Sequence, residues 1–368
     1  MDERGAAMCI ACSSKPIDQQ QLDAFGERFM GMLNHSMLMM MISLGHRSGL
    51  FDAMADGIAR TSDELAVKAD LNERYVREWL GAMVTGGIVE RDRATKTHRL
   101  PPEHANWLSR AAPEANLAVF AQYLSVLASV EDEVLECFQR GGGVAYEAYG
   151  RFHDVMAEDR GQSIVPVLVD EVVSLMPGLR DRLNRRIDVL DIGCGRGRAL
   201  MALAAAFPKS RFRGYDLSRE AIAWARAEAE RQGVTNVRFE VRDLTNWREP
   251  AAFDWITALD AIHDQARPDL VLAAVRQALR PGGIFLMQDI DLSSDPSDNI
   301  DHPLAAMLYS ISCMHCMTVS LARGGLGLGT AWGRQRAEAM LNEAGFDQIR
   351  LHRFEHDVQN VIYIMETR

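Results

Sequence analysis

Residues 189–200 read Val-Leu-Asp-Ile-Gly-Cys-Gly-Arg-Gly-Arg-Ala-Leu, an apolar run that ends in an aspartate and three closely spaced glycines. The apolar residues predict a buried strand, and the glycines predict a tight turn into a following helix. Glycines at this spacing let the backbone approach a ligand because no Cβ stands in the way. The Gly-Lys-Ser/Thr of a phosphate-binding Walker loop is absent. This stretch therefore predicts a strand, a glycine loop and a ligand site.

Strand-like and helical segments alternate from about residue 178 onward. Short apolar runs are separated by longer helical patterns, and this alternation predicts a parallel sheet with helices on both faces. The strand-like runs are residues 188–192, 212–215, 237–241, 255–259 and 284–288, followed by a last pair at 348–354 and 361–366. The sequence therefore predicts an α/β domain over its second half.

Two further acids end the strands that follow the glycine loop. Asp216 lies 25 residues after Asp191, and an acid at that position can accept both hydroxyls of a ribose. Asp243 follows the next strand and is placed to accept from the amino group of an adenine. A single acid at a strand end is as often a helix cap as a ligand contact. Three acids on consecutive strand ends, behind a glycine loop, favour the ligand site.

This combination of motifs resembles the class I S-adenosylmethionine-dependent methyltransferases over residues 178–368. The resemblance implies a Rossmann-like, seven-stranded sheet in which one strand is reversed. It places Asp191 and the glycine loop near the methionine part of the cofactor, Asp216 at the ribose, and Asp243 with Leu244 at the adenine. The residues expected to bind S-adenosyl-L-methionine, with S-adenosyl-L-homocysteine as product, are Asp191, Gly193, Gly195, Gly197, Asp216, Leu217, Asp243, Leu244 and Asp260.

The N-terminal part predicts a mostly helical, winged-helix domain. A helix over residues 19–50 carries a stripe of six methionines, and two shorter helices follow, one capped at Thr61 and one over residues 73–85. Two short strands around a polar turn complete the order helix, helix, helix, hairpin. Residues 37–110 hold ten Lys and Arg against ten Asp and Glu, whereas a DNA reader needs uncompensated cations. We therefore expect a dimerisation domain that binds no nucleic acid.

The two-domain order resembles small-molecule O-methyltransferases of the caffeate, hydroxyindole and polyketide-antibiotic types, and a bacterial subfamily labelled methyltransferase or regulator-like. In those O-methyltransferases a His-Asp pair beyond the fourth strand supplies the general base, and residues 261–265 here read Ala-Ile-His-Asp-Gln. The resemblance makes His263 the candidate base and Asp264 its orienting or helix-capping neighbour. Gln265 stands where the family usually has tryptophan. Oxygen of a small molecule is the expected acceptor atom, with sulfur and nitrogen open and a regulator that senses S-adenosylmethionine as the alternative.

Two segments outside the sheet are expected to wall the acceptor site. Residues 143–153 are rich in aromatic side chains, and an insertion at about 290–333 holds an apolar helix and a glycine stretch placed to close over an acceptor. The residues expected in the acceptor pocket are Tyr146, Phe152, His153, Met314 and His315. The predicted division is residues 1–110 for the dimerisation domain, 111–180 for a helical connector and 181–368 for the methyltransferase domain.

The composition disfavours several other classes of protein. Of the 368 residues, 48% are hydrophobic, which is enough for large cores without disulfides. A formal net charge of −11 disfavours phosphate backbones and anionic membranes as partners, and no apolar run reaches the length of a membrane span. The cysteines include two pairs with metal-ligand spacing, Cys9 with Cys12 and Cys313 with Cys316, which lie far apart in the chain. We expect reduced thiols, no metal site, no membrane partner and a cytoplasmic location.

Overall fold

The structure is a computed structural model that describes residues 17–111 and 116–367. The chain divides after Ala121 into two compact units. The first cysteine pair, Cys9 with Cys12, lies outside the described residues. The predicted three-part division at residues 110 and 180 stays a prediction.

The N-terminal unit consists of helices and one small hairpin. Its elements are α1 Gln19–Arg47, α2 Leu50–Met54, α3 Ser62–Ala69, α4 Glu73–Thr85, β1 Glu90–Arg91, β2 His98–Arg99 and α5 Pro102–Leu108. Thr61 and Glu64 form the predicted capping box of α3, and Asn72 caps α4 by accepting from a backbone N–H. The strands β1 and β2 pair antiparallel. The predicted winged-helix layout is therefore confirmed.

The first helix ends earlier than the sequence predicted. It stops at Arg47 because Gly49 adopts a φ of 76°, a left-handed conformation that glycine takes without strain. A short second helix then turns Phe51 into the core, where its ring meets that of Trp79 edge-on at 5.3 Å. The helical periodicity of residues 19–50 continues through this break, so it did not show where the helix ends.

The second unit alternates strands and helices. From Ala121 onward the helices are α6 Ala121–Ala128, α7 Glu131–Arg140, α8 Phe152–Gln162, α9 Ile164–Val167, α10 Leu179–Arg185, α11 Arg198–Ala206, α12 Arg219–Gln232, α13 Pro268–Ala278, α14 Ala305–Ile311, α15 Met317–Ala322 and α16 Arg334–Glu343. The strands are β3 Asp188–Ile192, β4 Arg211–Asp216, β5 Val237–Val241, β6 Phe253–Leu259, β7 Leu279–Ile290, β8 Ile349–His352 and β9 Asn360–Glu366.

The seven strands of this unit form one mixed sheet in the order β5-β4-β3-β6-β7-β9-β8. Neighbours pair in parallel except for β9, which runs antiparallel to both β7 and β8. Val189 and Trp255 lie in a core on one face, and Leu190 and Ile256 lie in a core on the other. Because both faces are covered, the central strands read as continuous apolar runs. The predicted seven-stranded sheet with one reversed strand is confirmed.

The register of the sheet brings the strand-end acids to one edge. β3 pairs with β4 and with β6, so that Asp191 lies opposite Gly214 on one side and Thr257 on the other. Ligands of such sheets bind at the carboxyl ends of the strands. The topology therefore builds a single site from loops that are distant in sequence.

The insertion after β7 contains one long apolar helix. Residues Ala305–Ala322 run through α14, a π-helical turn at Ser312–Cys316 and α15. By length and composition this segment is long enough to cross a membrane, contrary to the expectation that no segment reaches that length. In the structure 44% of it is buried, and the core helix of a globular domain meets the same criterion.

Candidate active site

The glycine loop after β3 has the conformation that its sequence predicts. Gly193, Gly195 and Gly197 all have positive φ values, of 66°, 52° and 67°. A Cβ added to Gly193 would lie 2.3 Å from the Cβ of Ala261, and one added to Gly197 would lie 2.2 Å from the Phe239 ring. Larger residues are excluded at both positions. The loop therefore packs directly against the segment that carries His263 and leaves backbone free to meet a ligand.

Asp216 is fixed by the backbone of the glycine loop. Its Oδ2 accepts a hydrogen bond from the Gly195 N–H at 2.8 Å, and its Oδ1 accepts from the Ser218 N–H at 2.8 Å. Each carboxylate oxygen has a second lone pair, so both remain able to accept from a ligand. Leu217, the next residue, is 43% exposed beside it. This geometry suits an acid that receives the two hydroxyls of a ribose.

Asp191 is buried at the end of β3. The Thr257 hydroxyl donates to its Oδ1 at 2.7 Å. Burial raises the pKa of Asp191 to about 7, and the Asp216 carboxylate adds to the rise while the Thr257 hydrogen bond opposes it. A cation bound nearby would favour the ionised form.

Asp243 contacts the insertion. Its Oδ1 accepts from the Thr245 N–H at 2.9 Å, and its Oδ2 accepts from Arg323 Nη2 at 2.8 Å. Burial acts to raise the pKa of Asp243, but the backbone hydrogen bond from Thr245 and the Arg323 charge lower it on balance. The neighbouring Leu244 is buried. Asp243, the acid expected at the adenine, therefore binds Arg323 at the end of the insertion helix.

Asp260 is held by other side chains, although the sequence placed it with the cofactor residues. Its carboxylate meets Arg160 Nη2 at 2.5 Å, Gln288 Nε2 at 3.0 Å and Asn360 Nδ2 at 2.6 Å. Its φ of 50° is unusual for a residue with a Cβ. Strained backbone of this kind persists when the surroundings over-determine it. Through these contacts, both carboxylate oxygens of Asp260 fix the loop that leads to His263.

His263 lies in the loop after β6, almost wholly buried. Its Nδ1 lies 2.8 Å from Oδ1 of Asp289, and the same oxygen accepts from Nε1 of Trp332 at 3.1 Å. Burial acts to lower the pKa of His263, but the Asp289 carboxylate and, after it, the nearby Cys316 raise it well above its ordinary value. The sequence predicted Asp264 as the orienting neighbour, whereas the structure places Asp289 in that position.

Asp264 follows His263 in the loop after β6. Burial raises the pKa of Asp264 to about 6. The carboxylates of Asp264 and Asp216, after burial itself, raise the pKa of Tyr146 well above its ordinary value. The charges of both acids therefore influence Tyr146 in the aromatic cluster.

The structure brings together four of the five residues predicted for the acceptor pocket. The ring of His315 stacks on Phe152 at 3.6 Å, and Tyr146 lies 5.0 Å from His315 and 4.9 Å from His153. Burial lowers the pKa of His315 well below its ordinary value, so its ring is neutral, and its Nε2 has no hydrogen-bond partner. We call Tyr146, Phe152, His153 and His315 the aromatic wall. The fifth predicted residue, Met314, precedes His315 in the chain and lies beside this wall.

Tyr149, within the predicted aromatic segment 143–153, also contacts the insertion. The Tyr149 hydroxyl donates to the Met314 carbonyl at 2.5 Å, and its ring lies 4.6 Å from His315. Tyr149 thereby joins the segment before α8 to the insertion helix. Its position three residues after Tyr146 places the two aromatic rings on one side of a helical turn.

The glycine stretch of the insertion is bonded to the loop that carries His263. Gly329 N–H donates to the His263 carbonyl at 3.1 Å, and Leu326 N–H donates to the Ala266 carbonyl at 2.9 Å. A Cβ added to Gly325 would lie 2.5 Å from the Ala266 backbone. The glycines are needed because this stretch approaches the loop so closely.

The thiols of the described residues are all free. They are Cys137, Cys194, Cys313 and Cys316. Within residues 17–111 and 116–367 no group of three or more His, Cys, Asp or Glu side chains is arranged to hold a metal ion.

Both parts of the chain match known domain families. Residues 36–110 match the Rv2258c-like winged HTH domain, and residues 183–345 match a methyltransferase domain. The chain therefore combines a region that matches a winged-helix domain with a region that matches a methyltransferase domain. The second match begins just before β3 and ends with α16, so it includes the glycine loop, the three strand-end acids and His263.

Proteins similar to this chain include O-methyltransferases. A fatty-acid O-methyltransferase of Mycolicibacterium smegmatis is 33% identical over 101 residues, which are 27% of this chain and 36% of that protein. The mitomycin 7-O-methyltransferase MmcR has a similar structure, with a TM-score of 0.69 at 15% identity over 95% of this chain and all of that one. The structure of human N-acetylserotonin methyltransferase in complex with S-adenosylmethionine has a TM-score of 0.61 and 17% identity. The match covers 97% of this chain and 99% of that one. The curated relative is thus matched over little more than a third of its length, and the structures share the fold.

Proposed function

We propose that this protein transfers a methyl group from S-adenosylmethionine to a hydroxyl oxygen of a small molecule, with His263 as the general base. The observation that carries the proposal is the buried contact between His263 and Asp289 at 2.8 Å, in the loop against which the glycine loop packs. A base in this position is within reach of an acceptor at the carboxyl edge of the sheet.

The residues around the glycine loop fit S-adenosylmethionine. Gly193 and Gly197 form a cradle that any Cβ would fill, and Asp216 keeps lone pairs free on both oxygens. Asp191 offers a buried carboxyl whose charged form a cationic group would favour. When bound, the cofactor supplies a methyl group that is already activated on a sulfonium.

His263 and Asp289 have different roles in proton removal. The bond to Asp289 occupies Nδ1, so Nε2 is the nitrogen left to take a proton from the acceptor hydroxyl. The Asp289 carboxylate stabilises the imidazolium that results, and Trp332 and the Ile290 N–H hold that carboxylate in place. A positioned base of this kind contributes roughly 10²–10⁴-fold to the rate.

The aromatic wall supplies an apolar surface for the acceptor, with one nitrogen that can form a hydrogen bond. Its rings pack on one another, and the neutral His315 offers one buried nitrogen without a partner. Small-molecule sites combine apolar walls with few polar groups in this way. The O-methyltransferases among the relatives also favour oxygen as the acceptor atom.

A screen with methyl-labelled S-adenosylmethionine tests this function. Pools of small molecules would be offered as matched sets in which one hydroxyl is replaced by a thiol, an amine or a methyl ether. We expect label in the hydroxyl member and none in the ether. Label in the thiol or amine member alone would move the acceptor atom to sulfur or nitrogen. Binding of the cofactor without transfer to any pool would favour a sensor of S-adenosylmethionine.

The N-terminal unit supports the further proposal of a homodimer. Helix α1 exposes a long row of large apolar side chains: Leu22, Phe25, Phe29, Met30, Met32, Leu33, Met37, Met39, Met40 and Leu44. An exposed apolar face of this length marks an interaction surface. Light scattering of the M30E/M37E variant should show loss of the dimer, whereas V67E, at a position that is 84% exposed on α3, should leave it intact. A wild-type monomer would contradict the proposal.

The charges of the winged helix favour this role over DNA binding. On α4, Arg77 Nη2 pairs with Glu73 at 2.9 Å, and Arg74 pairs with Glu78. Both arginines are therefore compensated on their own helix, whereas DNA binding depends on releasing counterions from phosphates. We propose a cytoplasmic dimeric enzyme that binds no nucleic acid. Binding to random duplex DNA at low salt would contradict the last point.

A further inference from the structure

A buried ion pair lies at the start of the loop that carries His263. Nη2 of Arg160, in the last turn of α8, meets Oδ2 of Asp260 at 2.5 Å. The side chain of Asp260 is 2% exposed and that of Arg160 is 17% exposed. Taking two charges out of water is costly, and replacing such a pair by apolar side chains is often neutral or stabilising. Stability alone therefore does not account for this pair.

The Asp260 carboxylate joins three elements of the second unit. Besides Arg160 of α8, it accepts from Gln288 Nε2 of β7 at 3.0 Å and from Asn360 Nδ2 of β9 at 2.6 Å. The Asp260 N–H in turn donates to the Gln288 carbonyl at 2.9 Å. The φ of Asp260 is 50°, a left-handed conformation that a residue with a Cβ keeps only when its surroundings hold it. The contacts of this one carboxylate therefore fix the turn that precedes His263.

The helix that carries Arg160 also carries part of the aromatic wall. Phe152, in the first turn of α8, stacks on His315 at 3.6 Å. Met156 and Arg160 follow at intervals of four residues, which places the three side chains along one side of the helix. About 12 Å of helix therefore joins a residue expected at the acceptor to the residue that holds the turn before the proposed base.

We propose that Arg160 is a positioning residue for methyl transfer. By holding Asp260 it fixes the loop that presents His263, and through α8 it ties the placement of that base to the aromatic wall. The effect on the rate rests on the proposed function of His263, whereas the effect on the position of the His263 ring does not. Arg160 acts through the loop and takes no part in the proton transfer itself.

The position of His263 can be followed without measuring activity. In the full-length protein with isotope-labelled histidine, the NMR shifts of the two ring nitrogens report which nitrogen carries the proton and what it bonds to. H263Q assigns the signals by removing them. We expect R160M to shift them away from the wild-type position. R160K, which keeps a positive charge on a different head group, should lie between the two. Wild-type signals in R160M would overturn the proposal.

Arg280 provides a matched control at the opposite end of the same strand. Its Nη1 meets Oδ2 of Asp254 at 2.5 Å, the same distance as in the Arg160 pair. Asp254 lies at the start of β6, whereas Asp260 follows its end. We expect R280M to leave the His263 signals and the rate of methyl transfer near wild type. Equal effects of R160M and R280M would assign the change to the loss of any ion pair on β6 and overturn the proposal.

A double variant separates the position of the loop from the stability of the fold. R160M leaves the Asp260 charge buried without its cation, so we expect a lower melting temperature. R160M/D260N removes both charges, and its melting temperature should return toward that of the wild type. The His263 signals and the rate should not recover, because the contact with α8 is still missing. Recovery of all three together would show that only the unpaired charge mattered, and would overturn the proposal.

Single-turnover kinetics distinguish failure of this inference from failure of the proposed function. At saturating acceptor, R160M should be slower than wild type by at least about tenfold, because a misplacement of about 1 Å can cost about a hundredfold. Its affinity for S-adenosylhomocysteine should stay within about twofold of wild type. In H263Q, adding R160M should have no further effect on the rate.

The outcomes of this cycle point to different conclusions. If R160M slows H263Q by the same factor as it slows the wild type, Arg160 acts by another route and the proposal is overturned, while His263 keeps its role. If H263Q has the wild-type rate and R160M still moves the His263 signals, the general base is lost. Arg160 then remains the residue that positions the His263 loop.

Discussion

The imidazole of His263 and the carboxylate of Asp289 meet at 2.8 Å, although one side chain comes from the loop after β6 and the other from β7. His263 follows β6 and Asp289 lies near the end of β7, and these two strands pair in parallel. Both side chains are buried, and the bond fixes which ring nitrogen is free. The position of the proposed base is therefore set by the core of the sheet and by one hydrogen bond.

Substituting Asp289 should lower the rate of methyl transfer more than the affinity for the cofactor. D289N keeps the shape of the side chain but removes the charge that stabilises the imidazolium. We expect a loss between about tenfold and about a hundredfold, less than the whole contribution of a positioned base. Single-turnover kinetics measure this loss. D291N, two residues along the chain in an ion pair with Arg353, is the matched control and should stay near wild type.

The pH dependence of the rate should report the raised pKa of His263. The base works only when neutral, so the rate should rise as pH increases through that pKa. Because Asp289 and Cys316 raise the pKa of His263, the acid limb should lie above pH 6.5, the ordinary value. The titratable groups near His263 are Asp289, Cys316, Asp264, Asp260 and His315. D289N should move the limb to lower pH, and an unmoved limb would assign it to another group.

Asp216 should contribute to cofactor affinity. D216A removes the acceptor of two backbone hydrogen bonds and the proposed partner of the ribose hydroxyls. Hydrogen bonds to charged groups are worth roughly 1.5–3 kcal/mol each, so S-adenosylhomocysteine should bind at least about tenfold more weakly. Calorimetry measures the affinity, and the variant E230Q, at an exposed position on α12, serves as control. Unchanged affinity in D216A would remove it from the ribose site.

Cofactor affinity should also depend on the ionisation of Asp191. Its pKa is raised to about 7 by burial, and a cationic group beside it favours the carboxylate. Affinity for S-adenosylmethionine should therefore fall as pH decreases from 8 to 6, by up to about tenfold. D191N should lack this fall. Any pH dependence of affinity that remains in D191N comes from titration of the cofactor itself. The same pH dependence in both proteins would show that Asp191 does not contact the charged part of the cofactor.

The sequence was sufficient for the fold because its decisive signals are local. The loop of Gly193, Gly195 and Gly197 and the acids at strand ends follow one another at fixed spacing, and the alternation of strands and helices indicates the sheet. The end of α1 was less clear, because the helical pattern continues past Gly49 and only the left-handed backbone there ends the helix.

The partner of His263 could not be predicted from local spacing. Asp264 was the obvious neighbour in the chain, but the side chain that reaches Nδ1 is Asp289, 26 residues away on the adjacent strand. An acid at the end of β7 was visible in the sequence. Its relevance depends on the pairing of β6 with β7, which only the assembled sheet defines.

The roles of Asp260 and Cys316 depend likewise on tertiary contacts. Arg160 reaches Asp260 from the last turn of α8, where an arginine in the sequence is expected to be exposed. Cys316 was expected to be buried, and its packing within the insertion helix leaves it only 6% exposed.

The rate of methyl transfer by H263Q tests the central claim most directly. Glutamine keeps the polarity and approximate size of the side chain but cannot take a proton from the acceptor. With the hydroxyl acceptor found in the labelled screen, we expect a single-turnover rate lower by roughly 10²–10⁴-fold and nearly unchanged affinity for S-adenosylhomocysteine. A rate within about threefold of wild type, at equal affinity, would contradict the role of His263 as general base and favour a thiol acceptor, which ionises without help near pH 8–9.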